Sequence, residues 1–360
     1  MAAVYDLVAG IVSSLNVRSA LLCFIVFLIL TFIVHQHRRY GRRIKNPPPG
    51  PKSWPVFGCL PQILRDLSKI PKHELFSGQK YGPVCLLHTP FGRAVVISGY
   101  EAVYESLTCE EFNWRPPYSS GEKFHILLRA KGIIRASGDP WKEHRRFSLA
   151  VLRSFGIGKR SFEDQIASES ECLIHEIAAG NGKPFNPTDL FCNAVSNVIC
   201  SVVFGKRYEY HDPEFTNLLH LLEDSLSHIT VKILLMMMPF LVRIPFFPKS
   251  GLTSFLQNRL KLKDIVNSHR DTYDEENMRD FIDVYLKDLQ MKKEQGIETH
   301  LSDDELVAVI HDFFGAGTET TSSTLRWALS YMLEYPDVQK RVQEEIDSKL
   351  LSMRYNGLQA

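Results

Sequence analysis

Apolar residues recur at spacings of three and four along most of the chain, which is the pattern of amphipathic helices. The pattern predicts helices over 100–108, 138–154, 160–179, 187–204, 213–230, 250–273, 279–293 and 302–334. One short region differs, because Val84–His88 and Arg93–Ser98 are rich in Val, Ile and Leu and flank Thr89–Gly92. This second pattern predicts a β-hairpin. The fold class we expect is mainly α with a small β-sheet.

The longest helical pattern runs from Ser302 to Glu334 and ends before Pro336. A helix of ~33 residues is about 50 Å long, which is enough to cross an entire domain. Ser302 and Glu305 have the spacing of a capping box, in which each side chain bonds the backbone N–H of the other residue. We therefore expect a capped helix that begins at Ser302.

The N-terminal region contains an apolar stretch, Ala20–Val34, interrupted only by Thr31. As a helix it would reach about 22 Å, short of a ~30 Å hydrocarbon core, and flanking residues would have to extend it. Basic residues follow the stretch, whereas a cleaved signal peptide, the alternative, has them before it. Residues 1–45 are therefore predicted to be a signal-anchor transmembrane segment with a basic stop. The positive-inside rule places the body on the cytosolic side of the endoplasmic reticulum membrane, as a single-pass protein.

Residues 46–51 are rich in proline and predict a stiff hinge between the anchor and the body. A proline-rich ligand for an SH3 domain is the competing interpretation.

Composition narrows the function classes. The chain has 42 Lys+Arg and 41 Asp+Glu, so its net charge of +1 argues against nucleic-acid binding through net basicity. A hydrophobic content of 44% excludes bulk disorder. Seven cysteines without a C-x-x-C pair give no zinc site of ordinary spacing, and we predict no metal ligand in this sequence.

The middle of the longest helical pattern reads Ala316-Gly-Thr-Glu-Thr-Thr321. Small residues lower the helix wall, so that a flat molecule could approach the backbone. Thr320 can bond back to the carbonyl of Ala316 and admit water, and Glu319 can relay protons through that water. A kinked core helix without chemistry is the alternative.

A second candidate is the pair Trp141 and Arg145, which are spaced i and i+4 and share one helix face. An indole N–H and a guanidinium fork suit a carboxylate of a ligand. A cation–π contact between the two side chains is the alternative interpretation.

The order of these motifs resembles the cytochrome P450 superfamily, most closely the microsomal family-2-like branch. The resemblance extends from about residue 20 to Asp347 and includes three runs in particular: Glu110-Glu-Phe-Asn-Trp-Arg115, Trp141-Lys-Glu-His-Arg-Arg-Phe-Ser148 and Phe314-Gly-Ala-Gly-Thr-Glu-Thr-Thr321. It implies a cytochrome P450-like fold and a haem-thiolate monooxygenase. Such an enzyme inserts one oxygen atom from O₂ into a lipophilic substrate such as a fatty acid, steroid or xenobiotic. Its electrons come from NADPH through a flavoprotein reductase.

The resemblance also implies site residues. The residues that it implies bind the haem propionates are Trp141, Arg145 and, with a less secure match, Arg115. Ala316 and Gly317 would lie over the haem face, and Glu319 and Thr320 would form the acid–alcohol pair that delivers protons for O–O bond cleavage.

The sequence departs from the family at its downstream end. The family's iron ligand is a cysteine that follows the Glu-Thr helix, whereas the last cysteine here, Cys200, precedes it. We therefore expect 52–347 to be an incomplete catalytic domain without its C-terminal part and 348–360 to be a tail unlike the family. This form would be inactive alone. The alternative is a non-catalytic, membrane-anchored interaction protein or regulatory isoform.

Overall fold

The structure, a computed structural model, describes only part of the chain. The described residues are 24, 26–27, 30–31, 44–54, 57–59, 61–62, 78–89, 92–115, 131–159, 162–227 and 250–357. Most of the predicted membrane segment, Ala20–Val34, lies outside these residues, although the five described within it are helical. Among the residues that are described, no helix is both long and apolar enough to cross a bilayer.

Two compact units make up the chain, residues 1–114 and residues 115–360. The first contains an antiparallel hairpin of β1 (Val84–Thr89) and β2 (Gly92–Ile97), with Val84 opposite Ile97. The Thr89 hydroxyl closes the turn, because it accepts the Gly92 N–H at 3.1 Å. Helix α1 (Tyr100–Thr108) follows, and then a short 3₁₀ turn, Glu110–Asn113. The hairpin and α1 confirm the predicted elements.

The second unit is helical throughout its described secondary structure. Its helices are α2 (Gly138–Ser154), α3 (Glu163–Ala179), α4 (Pro187–Val203), α5 (Pro213–Ser227), α6 (Ser250–Asp271), α7 (Phe281–Glu294), α8 (Asp303–Glu334) and α9 (Pro336–Gly357). The mainly α fold with a small sheet is thus confirmed. Helix α9 was not predicted, because Pro336 reads as the end of α8; it is also the first residue of α9, where proline is favoured.

Helix α8 is the centre of the second unit. It packs against α4, α6 and α9, and its N-terminal half is buried through Leu306, Ile310 and Phe314. From α7, Phe281 and Tyr285 join the same fully buried core. The C-terminal half of α8 is more exposed. The core therefore encloses the N-terminal half of the helix and leaves the C-terminal half accessible to solvent.

The N-terminus of α8 uses only half of the predicted capping box. The Ser302 side chain accepts the Glu305 N–H at 3.3 Å, as expected. The return bond was predicted wrongly, because Glu305 Oε2 accepts the Gly132 N–H at 2.8 Å instead. The Ser302 N–H donates to the Tyr285 hydroxyl at 3.2 Å. Glu305 therefore connects α8 to a distant segment of the chain.

A buried ion pair joins α6 to α7. His269 Nδ1 lies 2.8 Å from the Ile265 carbonyl, and its Nε2 lies 2.9 Å from Asp280 Oδ2. Both partners are acceptors, so the doubly protonated ring satisfies them together. Burial opposes the charge, but the bonds to Asp280 and Ile265 outweigh it and raise the pKa of His269 above its ordinary value of 6.5.

This pair predicts a pH dependence of stability. Because the pKa of His269 is raised in the folded state, its contribution is complete below pH 6.5 and is lost as the pH rises through the raised pKa. Chemical denaturation across this range should show a falling free energy of unfolding, and His269→Gln should remove that part of the slope. His211→Gln, at an exposed histidine paired with Glu176, is the control and should keep it. An unchanged slope in His269→Gln would contradict the assignment.

Candidate functional site

The predicted site residues of the second unit lie in two places. Trp141 and Arg145 are in the first half of α2, and Arg115 precedes that helix in the chain. The small-residue motif, Ala316 to Thr320, lies in the middle of α8.

Trp141 and Arg145 do share one face of α2, as the spacing predicts. The guanidinium carbon of Arg145 lies 5.6 Å from the centroid of the Trp141 ring. This cation–π contact is the alternative considered from the sequence. Arg145 is exposed and Trp141 is half-buried, so stacking on the indole still leaves the guanidinium N–H groups accessible to an anionic ligand.

Arg115 lies against the segment that leads into α2. Its backbone N–H donates to Ser137 Oγ at 2.6 Å, and its Nε donates to the Ile134 carbonyl at 3.4 Å. Ser137 is the residue that precedes α2. Arg115 is therefore positioned by the same short segment that determines where α2 begins.

The motif on α8 contains the hydrogen bond that the sequence predicts. Thr320 Oγ1 donates to the Ala316 carbonyl at 2.6 Å, and both residues are exposed on the same side of the helix. Helix α8 continues through this point from Asp303 to Glu334. The motif thus forms an accessible strip of small side chains with one hydroxyl held against the backbone.

Gly317 has a packing role in this structure. A Cβ atom at Gly317 would lie 2.7 Å from Cδ1 and 2.9 Å from Cγ1 of Ile199 on α4, closer than such atoms approach. The glycine therefore allows α4 and α8 to pack closely at this point. Its predicted position over a haem face remains a prediction.

Glu319 and Thr320 are neighbours in the chain, but their side chains have different partners. Glu319 Oε1 accepts a hydrogen bond from Ser323 Oγ at 2.9 Å and lies 3.9 Å from Nη2 of Arg326. Thr320 instead bonds back toward Ala316. The acid is directed toward the C-terminal end of α8 and the alcohol toward its N-terminal end.

A carboxylate that was not singled out from the sequence connects the two halves of the site. Asp312 lies on α8 one turn before Ala316 and is almost completely buried. Its Oδ2 accepts the backbone N–H groups of Ile133 at 2.8 Å and Ile134 at 2.9 Å. Burial raises the pKa of Asp312, although these two bonds favour the ionised form.

The same segment is bonded to α8 at two further points. Glu305 accepts the Gly132 N–H, and Asp304 forms an ion pair with Lys131 at 2.7 Å. Since Ile134 also accepts from Arg115, the carboxylates of α8 determine where residues 131–134 and Arg115 lie. The sequence did contain a signal, because Asp312 interrupts an apolar helix face.

Glu143 on α2 supplies a second connection that sequence reasoning missed. It accepts from Thr299 Oγ1 at 2.6 Å, from the His300 N–H at 2.9 Å and from Lys292 at 3.1 Å. Burial opposes ionisation, but these bonds together lower the pKa of Glu143 to about 2. Helix α2 is thereby fixed to the loop that precedes α8.

The placement of these residues about a haem remains a prediction, and Cys200, the last cysteine of the sequence, does not fit as an axial ligand. Cys200 is 0% exposed within the core, and burial raises the pKa of its thiol far above the ordinary value. An iron-ligating cysteine has to reach the metal, whereas the Cys200 side chain is enclosed by the hydrophobic core cluster. Across the described ranges, no three His, Cys, Asp or Glu side chains are grouped as metal ligands.

Asp312→Ala should destabilise the protein because it leaves two N–H groups without an acceptor. A buried donor without a partner costs ~1–3 kcal/mol, and water can reach the exposed Ile134, so we expect a loss of about 1–3 kcal/mol in the free energy of unfolding. Asp312→Asn retains a carbonyl oxygen and should cost less. Chemical denaturation measures both, and equal stability of Asp312→Ala and the unchanged protein would contradict the role of Asp312.

Gly317→Ala should also be destabilising, although glycine to alanine within a helix ordinarily gains ~0.5–1 kcal/mol. The new methyl group would overlap Ile199, and overpacking of this kind costs ~1–3 kcal/mol. Gly315→Ala is the matched control, because its Cβ would meet only Leu222 Cδ1, at 3.5 Å. We expect denaturation to show a loss for Gly317→Ala, a gain for Gly315→Ala, and partial recovery when Ile199→Val is added to Gly317→Ala. A gain for Gly317→Ala would contradict the packing role.

Comparison with known proteins identifies the family. The family model for Cytochrome P450 matches residues 48–356. Cytochrome P450 2D10 of Mus musculus is 37% identical over 338 residues, which cover 92% of this chain and 66% of that protein.

Two relatives from Rattus norvegicus agree. Cytochrome P450 2C11 is 39% identical over 306 residues, with 83% of this chain and 60% of the relative covered. Cytochrome P450 2J3 is 39% identical over 351 residues, which cover 95% of this chain and 67% of that relative. The chain thus spans about two thirds of the length of these relatives. Their names confirm the family-2 resemblance of the motifs, and the chain belongs to the cytochrome P450 family.

Proposed function

We propose that this chain carries the propionate-binding and distal residues of a membrane-anchored haem monooxygenase. The observation that carries the proposal is the Thr320 hydroxyl, held 2.6 Å from the Ala316 carbonyl on an exposed strip of α8, in a member of the cytochrome P450 family. The reaction is the insertion of one oxygen atom from O₂ into a lipophilic substrate. Haem, when bound, supplies the oxygen activation.

The residues of α2 would bind the cofactor at its edge. Arg145 presents a guanidinium fork stacked on Trp141, and such forks bind carboxylates through paired, charge-assisted hydrogen bonds. Arg115, tied to the start of α2, would supply a second cation in the same role. The small, exposed side chain of Ala316 leaves room for a flat ring beside α8, whereas Ile199 fills the space at Gly317.

Thr320 and Glu319 would control protons at this face. A hydroxyl that donates to a backbone carbonyl keeps its oxygen free to accept from a water molecule. The Glu319 carboxylate is half exposed and can exchange protons with solvent. Together they would carry protons from bulk water to the reacting face.

Partners and location follow from the same proposal. Electrons would come from NADPH through a flavoprotein reductase, and the exposed basic residues Lys142 and Arg146 on α2 suit an acidic docking surface. The apolar stretch Ala20–Val34 would anchor the protein in the endoplasmic reticulum membrane, with the body on the cytosolic side. No part of the proposal involves nucleic acid.

A polypeptide limited to these 360 residues should not form a thiolate-ligated haem. The sequence has no cysteine after Cys200, and Cys200 itself is enclosed by the hydrophobic core cluster. A form with an added thiolate-bearing segment would be the active one. A non-catalytic, membrane-anchored interaction protein or regulatory isoform is the alternative function.

The test is a carbon monoxide difference spectrum of the reduced protein in membranes. We expect no thiolate-type band from the 360-residue chain and a band from a form that supplies the cysteine. A stoichiometric thiolate-type band from the 360 residues would contradict the assignment of Cys200. Absence of haem binding by the cysteine-bearing form would contradict the monooxygenase proposal.

In that cysteine-bearing form, Thr320→Ala should uncouple the reaction. Product per NADPH should fall while NADPH consumption and peroxide release continue, because the hydroxyl that positions the proton-delivering water is gone. Thr324→Ala is the matched control, since it removes the same kind of bond, Thr324 Oγ1 to the Thr320 carbonyl at 2.8 Å, one turn later. Equal product per NADPH in both variants would contradict the role of Thr320.

A further inference from the structure

Three side chains on one face of α8 form a continuous series of contacts. Glu319, Ser323 and Arg326 are spaced i, i+4 and i+7. Arg326 Nη2 donates to Ser323 Oγ at 2.8 Å, and Ser323 Oγ donates to Glu319 Oε1 at 2.9 Å. The serine hydroxyl therefore bridges the guanidinium and the carboxylate.

The other arm of the guanidinium reaches a different helix. Arg326 Nη1 donates to Thr188 Oγ1 at 3.3 Å, and Thr188 lies in the first turn of α4. The Thr188 N–H is itself bonded to Asn186, the N-cap residue of α4, at 3.1 Å. Arg326 is thus fixed at a point outside its own helix, and rotation of its side chain would break a contact between helices.

The position of the Arg326 side chain leaves one of its N–H groups without a hydrogen-bond partner among the described residues. The Arg326 side chain is 32% exposed, and within the described part of the chain its buried Nε has no partner. A buried donor without an acceptor is unfavourable, so the position does not maximise the hydrogen bonds of the arginine itself. Its two terminal nitrogens are directed to Ser323 and Thr188 instead.

We propose that Arg326 is a positioning residue for Glu319, acting through Ser323. A glutamate that is half exposed would otherwise sample several side-chain rotamers. The guanidinium attracts the carboxylate from 3.9 Å, and the serine hydroxyl fixes the direction of that attraction. The consequence for proton delivery rests on the function proposed above, whereas the positioning itself does not depend on a bound cofactor.

The test is the side-chain carboxyl signal of Glu319 in the 360-residue chain in detergent. Glutamate labelled with ¹³C at the side-chain carboxyl gives magnetic resonance signals, and the one that disappears in Glu319→Gln is that of Glu319. We expect Arg326→Gln and Ser323→Ala each to shift this signal. Ser323→Thr keeps the hydroxyl and should leave the Glu319 signal near its original position. If any change of the side chain at position 323 disturbed the site, Ser323→Thr would shift the signal as well.

Arg270→Gln is the matched control, because it breaks an exposed pair with Asp303 at the opposite end of α8, at 2.7 Å. It should leave the Glu319 signal in place. If Arg326→Gln lowers the yield of folded protein, Ser323→Ala provides the same readout with a smaller change. A Glu319 signal that is unmoved in folded Arg326→Gln or Ser323→Ala would overturn the proposal. Because no haem is needed, this result is separate from the carbon monoxide test.

Discussion

The arrangement of the site depends on the carboxylates of α8 that accept backbone N–H groups from residues 132–134. Asp312 holds Ile133 and Ile134, while Glu305 holds Gly132. The predicted haem-face residues lie one turn further along α8. Residues 132–134, which these carboxylates bind, lead to Ser137 and α2. The Asp312 side chain is nearly buried and one of its oxygens accepts both N–H groups, so the attachment is directional. One helix thereby positions both parts of the candidate site.

The electrostatics of the site differ between its two ends. Around the N-terminal half of α8, the largely buried carboxylates of Glu305 and Asp312 accept backbone N–H groups. The Glu319 carboxylate is half exposed and, within the described ranges, is held by Ser323 and Arg326. The first environment suits permanent structure, since breaking it leaves buried groups without partners. The second suits a group that exchanges protons, because its partners are few and water can reach it.

Much of this could be predicted from the sequence, because the relevant patterns are local. Helical periodicity located α2 and α8, and the i, i+4 spacings correctly paired Trp141 with Arg145 and Thr320 with Ala316. The contacts that sequence reasoning predicted wrongly or missed join residues that are far apart in the chain. Glu305 was assigned to its own helix cap, whereas its partner Gly132 is 173 positions away. The closeness of Ile199 to Gly317 likewise depends on tertiary packing, which periodicity does not encode.

The central claim is that Asp312 fixes residues 133 and 134 to α8, and amide hydrogen exchange tests it directly. In the unchanged protein the Ile133 and Ile134 N–H groups should exchange as slowly as core amides of α8, such as that of Ile310, because they open only when the helix contact opens. Exchange of both amides at the rate of an exposed loop, while Ile310 remains protected, would contradict the account.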